Sequence, residues 1–180
     1  MVVTNNIPLN WHEDFIVSLA KVIRPSVYVE LGLFQCTLFN RMIPFADRLI
    51  GVDIRPESGQ YMQPSPKTQF VNLSTQSFAE KLRAQPMMIN LLFIDADHTK
   101  DAVLGDFFSF FPFISPHGLI LLHDTHPNPE HISPEYCGTA YQAAELLSHN
   151  TSQYEMVTFP ITPGLTICRK RTKHLAWEEY

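Results

Sequence analysis

Two short stretches concentrate the residues able to do chemistry: Asp95-Ala96-Asp97-His98 and His123-Asp124-Thr125-His126. Each follows an apolar run, Met87–Ile94 in the first case and Leu119–Leu122 in the second. Neighbouring carboxylates repel, and a cation between them relieves the cost. Oxygen ligands suit Mg²⁺ or another hard divalent ion. Histidine in the set admits Mn²⁺, Fe²⁺ or Zn²⁺. The alternative use of the same residues is that Asp95 and Asp97 orient a cofactor while Asp124 caps a loop. His98 and His123 are the side chains here able to act as general base.

A second pair lies upstream. Glu30-Leu31-Gly32 closes the run Val27–Leu31, and Asp53 closes the run beginning at Arg48; it follows Glu30 by 23 residues and Gly32 by 21. A glycine after a first strand lets the backbone approach a ligand closely. An acid at the end of the next strand, about 20 residues on, is placed to accept hydrogen bonds from ribose hydroxyls. The loop Gly32-Leu33-Phe34-Gln35-Cys36 holds one glycine, where a pyrophosphate asks for a glycine-rich approach. The pattern points to a nucleoside without a diphosphate.

Ligands of open α/β sheets bind outside the carboxyl ends of the strands, and an alternating strand–helix chain supplies such an edge. Trp11–Arg24 has an amphipathic period and stops at Pro25. Strands are expected at Val27–Leu31, Arg48–Ile54, Gln69–Asn72, Met87–Ile94 and His117–His123. Helices are expected at Gln35–Phe45, Ser74–Ala84, Lys100–Phe111 and Thr139–His149. Arg55–Lys67 and Thr125–Tyr136 read as loops. The last strands, Tyr154–Phe159 and Leu165–Arg169, are joined by five residues, Pro160–Gly164. A parallel crossover needs a dozen residues or more, so this pair is antiparallel. The expected fold is α/β: a mostly parallel sheet with a C-terminal antiparallel hairpin. The five acids Glu30, Asp53, Asp95, Asp97 and Asp124 and the histidines His98, His123 and His126 meet on one edge of it.

The chain has 180 residues, 45% hydrophobic and 17% charged, with a formal charge of −5. That is one domain's worth of sequence with an ample core. We expect a domain over 1–170 and a solvated tail over 171–180. Thirteen basic residues against 18 acidic ones argue against a nucleic-acid partner. No apolar run approaches the roughly 18 residues of a membrane helix, and the first ten residues lack the pattern of a secretion signal. Cys36, Cys137 and Cys168 are widely spaced and fit free thiols in the cytoplasm. A homodimer is expected from the aromatic content. His12, His149 and His174 offer no argument at this level.

The stretches VYVELG (27–32), LIGVDIRP (49–56), FVNLSTQSF (70–78), LLFIDADHTKDAVLGD (91–106), HGLILLHDTHP (117–127) and GLTICRK (164–170) together resemble the class I S-adenosylmethionine-dependent methyltransferases. The FIDADH and LLHD pieces are similar to the small-molecule O-methyltransferase branch. The resemblance implies a Rossmann-like seven-stranded sheet with helices on both faces. It implies S-adenosylmethionine as cofactor and a small-molecule hydroxyl as acceptor. Glu30 and Gly32 would line the methionine and ribose side. Asp53 would hold the ribose, Ile54 would pack on adenine, and Ser74 and Thr75 would face it. Asp95 and Asp124 match positions that ligate a divalent ion in metal-dependent relatives; Asp95 otherwise contacts the methionine amino group. His98 and His123 would flank the reacting centre. Two other readings use the same residues: a metal-dependent hydroxylase on this scaffold, and a cofactor-binding module without catalysis.

Overall fold

The computed structural model describes residues 7–149 and 152–171. The expected tail, with Lys173 and His174, lies outside the described residues from 172 onward. Seven strands form one sheet: β1 (Val27–Leu31), β2 (Arg48–Asp53), β3 (Thr68–Asn72), β4 (Ile89–Ile94), β5 (Ile114–His123), β6 (Tyr154–Phe159) and β7 (Leu165–Lys170). Their spatial order is β3-β2-β1-β4-β5-β7-β6. The first five are parallel; β7 runs antiparallel between β5 and β6. The strand order reverses between β1 and β4, which places a crevice at their carboxyl ends.

The central strands are apolar on both faces because both are covered. Val29, Leu31, Ile50, Val52, Leu92 and Ile94 pack with α3 (Thr75–Ala84), α4 (Lys100–Phe110) and α5 (Ala140–Ser148). Their alternates Tyr28, Leu49, Leu91 and Phe93 pack with α1 (Trp11–Ile23) and α2 (Thr37–Met42). Helices α3 and α4 begin where Ser74 and Thr99 accept from the backbone N–H of Ser77 and Ala102, each satisfying one orphan donor of the first turn.

Three elements differ from the sequence reading. The helix expected over 35–45 shrinks to α2, because Cys36 is left-handed at φ 55° and a right-handed helix cannot include it. Strand β5 begins at Ile114, three residues before His117; Ile114 pairs with Ile89 across an irregular register that accommodates Pro116. The loops over 55–67 and 125–136 each contain a short 3₁₀ segment, Pro56–Tyr61 and Pro129–His131.

Gly32 controls how closely β1 approaches β4. Its φ is +85°, and a Cβ there would stand 2.1 Å from the Asp95 carbonyl oxygen. Gly105 on α4 is the contrast: a Cβ would meet nothing within 4 Å. In urea denaturation, Gly32→Ala should lose more than ~2 kcal/mol through strain and overlap. Gly105→Ala should gain about 0.5–1 kcal/mol by removing glycine from a helix interior. Equal effects at the two positions would contradict the β1–β4 approach.

Candidate active site

The β1–α2 loop is assembled around Asp53. Gly32, Phe34 and Cys36 all have left-handed backbones, at φ 85°, 47° and 55°. Asp53 Oδ2 accepts from the N–H groups of Leu33 (2.9 Å) and Phe34 (3.2 Å) and from the Ser58 hydroxyl (2.9 Å). Its Oδ1 accepts from the Arg55 N–H at 2.8 Å. Burial pushes the Asp53 carboxyl up, but these four donors outweigh it and hold it below the usual carboxylate range. Asn72 Nδ2 ties the carbonyls of Asp53 and Ile54, both at 2.9 Å.

Two cavities open at this edge and share Gly32, Arg55 and Ala96. One, of about 810 Å³, is lined by Asp53, Ile54, Ser74, Thr75, Asp97 and Asp106, among others. Ile54 is 70% exposed, an apolar platform at its mouth. Asp106 was not expected here from sequence. It is buried beside Thr75, and burial raises its carboxyl to about 6. The other cavity, of about 460 Å³, is lined by His12, Glu30, Phe93, Asp95, His98 and Glu135, among others. Glu30 accepts from the Tyr28 hydroxyl at 2.5 Å. Burial pushes its carboxyl well above the ordinary range.

Beside this second cavity lies a cluster of two carboxylates and three imidazoles. His123 Nδ1 is 2.8 Å from Asp95 Oδ1 and 3.2 Å from Asp124 Oδ1. His98 Nε2 is 3.5 Å from Asp95 Oδ1, and its Nδ1 is 3.1 Å from Asp124 Oδ2. The same Nδ1 meets the Tyr136 carbonyl. A carbonyl only accepts, so Nδ1 of His98 carries a hydrogen. The hydrogen bond to Asp95 and the charges of Asp95 and Asp124 raise His98 to about 9 despite burial. Burial opposes charge on His123, but the Asp95 carboxylate outweighs it and the pKa rises. For Asp95, burial is outweighed by the two imidazoles and the carboxyl is held far below its ordinary value. Asp124 is buried in a left-handed conformation, φ 59°, and burial raises its pKa.

The expected convergence is therefore partial. Glu30, Gly32, Asp95, His98, His123 and Asp124 gather at one end, and Asp53, Ile54, Ser74 and Thr75 at the other. Asp97 turns away from Asp95: it caps Thr99 at 2.8 Å and lines the larger cavity. His126 is exposed and lines neither cavity. His12 is the residue sequence reasoning missed. It reaches the site from α1, 8% exposed, with Nδ1 3.2 Å from His123 Nε2. A lone histidine at the start of an amphipathic helix carries no signal of this.

Asp95, His98 and Asp124 present ligand atoms within 4.8 Å of one another. Two carboxylates and an imidazole form a donor set that fits a divalent ion. In the structure the same space is bridged by the His98 ring.

A strand-order reversal, a left-handed glycine loop, an acid ending β2 and an apolar platform beside it define a nucleoside-cofactor α/β domain. The chain belongs to a methyltransferase family: the family model described as "Methyltransferase domain" matches residues 29–125. No curated protein matches the chain. Among solved structures it is similar to an O-methyltransferase from Bacillus cereus in complex with SAH. Identity there is 10% and the TM-score 0.76, covering 93% of this chain and 84% of that one. The O-methyltransferase TomG from Streptomyces achromogenes, in complex with SAM, is 13% identical with a TM-score of 0.69, covering 89% and 80%. The N-methyltransferase NodS from Bradyrhizobium japonicum is 11% identical with a TM-score of 0.68, covering 93% and 99%. At these identities the likeness is one of fold.

The cluster predicts opposite titrations. In an NMR titration of ring resonances, His98 should titrate at about 9 and His12 at about 4. The unfolded value of both is roughly 6.5. The stabilisation from charged His98 is complete below that and lost as pH rises through about 9. The contribution of neutral His12 is complete above ~6.5 and lost as pH falls to about 4. A His98 titration near the ordinary value would show that its pairing with Asp95 and Asp124 does not form.

Proposed function

We propose that this chain transfers the methyl group of S-adenosylmethionine to a hydroxyl oxygen of a small molecule. The observation carrying this reading is the pair of cavities joined at Gly32, Arg55 and Ala96. One elongated ligand can run from Ile54 to the Asp95–His98 cluster. Adenine would lie on Ile54 against Ser74 and Thr75. The ribose hydroxyls would donate to Asp53, whose Oδ1 accepts from the Arg55 N–H and lies 3.6 Å from the Arg55 guanidinium. Gly32, Glu30 and Asp95 would surround the methionine end. SAH and SAM bound to the similar O-methyltransferases support the cofactor.

The chemistry needs an acceptor oxygen held in line with the methyl carbon. As the oxygen–methyl bond forms, the sulfur–methyl bond breaks. Its electron pair stays on sulfur, leaving S-adenosylhomocysteine. The hydroxyl proton must leave, and of the two histidines expected as base His98 is the more accessible, with 34% of its side chain exposed against 12% for His123. It acts once neutral. A divalent ion, when bound, would be held by Asp95, His98 and Asp124 and would polarise the acceptor oxygen. The same imidazole cannot hold the ion and take the proton, so the two modes exclude each other. Three free thiols support a cytoplasmic setting. No described helix is long and apolar enough to cross a membrane.

The test is transfer of labelled methyl from S-adenosylmethionine to a panel of catechols, phenols and sugars, with chelator present. The product should carry the label on oxygen. The rate should rise with pH through about 9, where His98 loses its proton, and His98→Ala should lower it by roughly 10²–10⁴-fold. Label on nitrogen instead would contradict the acceptor class, and a rate independent of His98 would contradict its role.

A further inference from the structure

His12 stands outside every motif that marks the site, yet it closes a hydrogen-bonded chain at its centre. Asp95 Oδ1 is 2.8 Å from His123 Nδ1, and His123 Nε2 is 3.2 Å from His12 Nδ1. A carboxylate only accepts, so His123 carries its hydrogen on Nδ1 toward Asp95. Its second nitrogen faces His12 alone among the hydrogen bonds formed by the described residues. The two imidazoles lie with centroids 4.0 Å apart, and the Phe93 ring flanks both, at 6.3 Å from His12 and 5.9 Å from His123. His12 also lines the cavity that holds Asp95 and His98.

We propose that His12 is a positioning residue of the reaction centre, its Nδ1 hydrogen-bonded to His123 Nε2 so that this imidazole is fixed with Nδ1 on Asp95. The inference deepens the reading of the site given above and rests on it. His123 then has both nitrogens committed and takes no proton from the acceptor. Its task is to hold one oxygen of Asp95 while the cavity side of that carboxylate stays open to ligand. Through this chain the N-terminal helix is tied to the carboxyl ends of β4 and β5, which otherwise share no hydrogen bond with it among those described. An orienting partner of this kind acts as do groups that fix the rings of metal-bound histidines.

Two substitutions separate hydrogen bonding from packing. His12→Phe keeps an aromatic ring beside Phe93 and His123 but removes the hydrogen-bonding nitrogen. His12→Asn removes the ring but keeps an amide able to hydrogen-bond near the place of Nδ1. The transfer rate at saturating acceptor should fall roughly 10–100-fold in H12F, and H12N should lie between H12F and the unsubstituted protein. The acceptor KM should move little. An H12N variant no faster than H12F, or two variants as fast as the parent, would overturn the proposal.

A second measurement needs no acceptor. In ¹⁵N-labelled full-length protein, His12 Nδ1 and His123 Nε2 should share a scalar coupling across the hydrogen bond. A His123 Nε2 with the shift of an unbonded nitrogen would overturn the proposal, whether or not H12F folds. Should no acceptor be methylated, this readout still decides the His12 contact, while the transfer reading alone fails.

Discussion

The site depends on one backbone approach. Gly32, at the end of β1, stands so close to Asp95, at the end of β4, that no side chain fits between them. The Asp95 N–H donates to the Leu31 carbonyl at 2.8 Å across the same junction. This draws the two strand ends flanking the order reversal together and opens the crevice above them. Asp53 then fixes the far wall by accepting from both Leu33 and Phe34. A loop with two non-glycine residues in left-handed conformations would be strained if left free. The buried carboxylate gives it fixed partners. One acid thus both shapes the loop and faces the larger cavity.

The electrostatics of the other end follow from the same crowding. Asp95 and Asp124 are brought within reach of one another by the parallel pairing of β4 and β5. A buried carboxylate, Asp124, beside a half-buried one, Asp95, calls for a positive partner. The chain supplies it with His98 and His123 rather than leaving it wholly to an ion. Because His98 bridges both acids, it ties the β5–α5 connection to the site as well: Tyr136 meets its ring, and Thr139 N–H donates to its carbonyl at 2.8 Å. The surroundings of His98 are therefore set by three segments distant in sequence.

Much of this was legible in the residues. The both-faces-apolar pattern of 89–94 marks a central parallel strand, and the five-residue turn after Phe159 forces the antiparallel end. Acids closing successive strands mark the edge, and Ser74, Thr75 and Ile54 line one cavity with Asp53. What sequence could not show is direction. Asp97 sits two residues from Asp95, and spacing alone gives it the same role, but it caps the loop before α4 and faces the other cavity. His12 contributes only because α1 packs on the face that carries Phe93, a tertiary fact with no local signature. The truncation of α2 has a similar origin: the 35–45 segment has a helical period, but tertiary contacts at Asp53 and Ser58 hold Phe34 and Cys36 left-handed.

The central claim is that the joined cavities hold one S-adenosyl cofactor with Asp53 at its ribose. Calorimetric titration of the protein with S-adenosylhomocysteine, and with S-adenosylmethionine, tests it most directly. Asp53→Ala and Ile54→Ala serve as comparisons, the second because it changes the adenine platform and leaves the loop intact. The account predicts saturable one-to-one binding, abolished by Asp53→Ala and weakened by Ile54→Ala. Absence of binding with and without Mg²⁺, or binding indifferent to both substitutions, would contradict it.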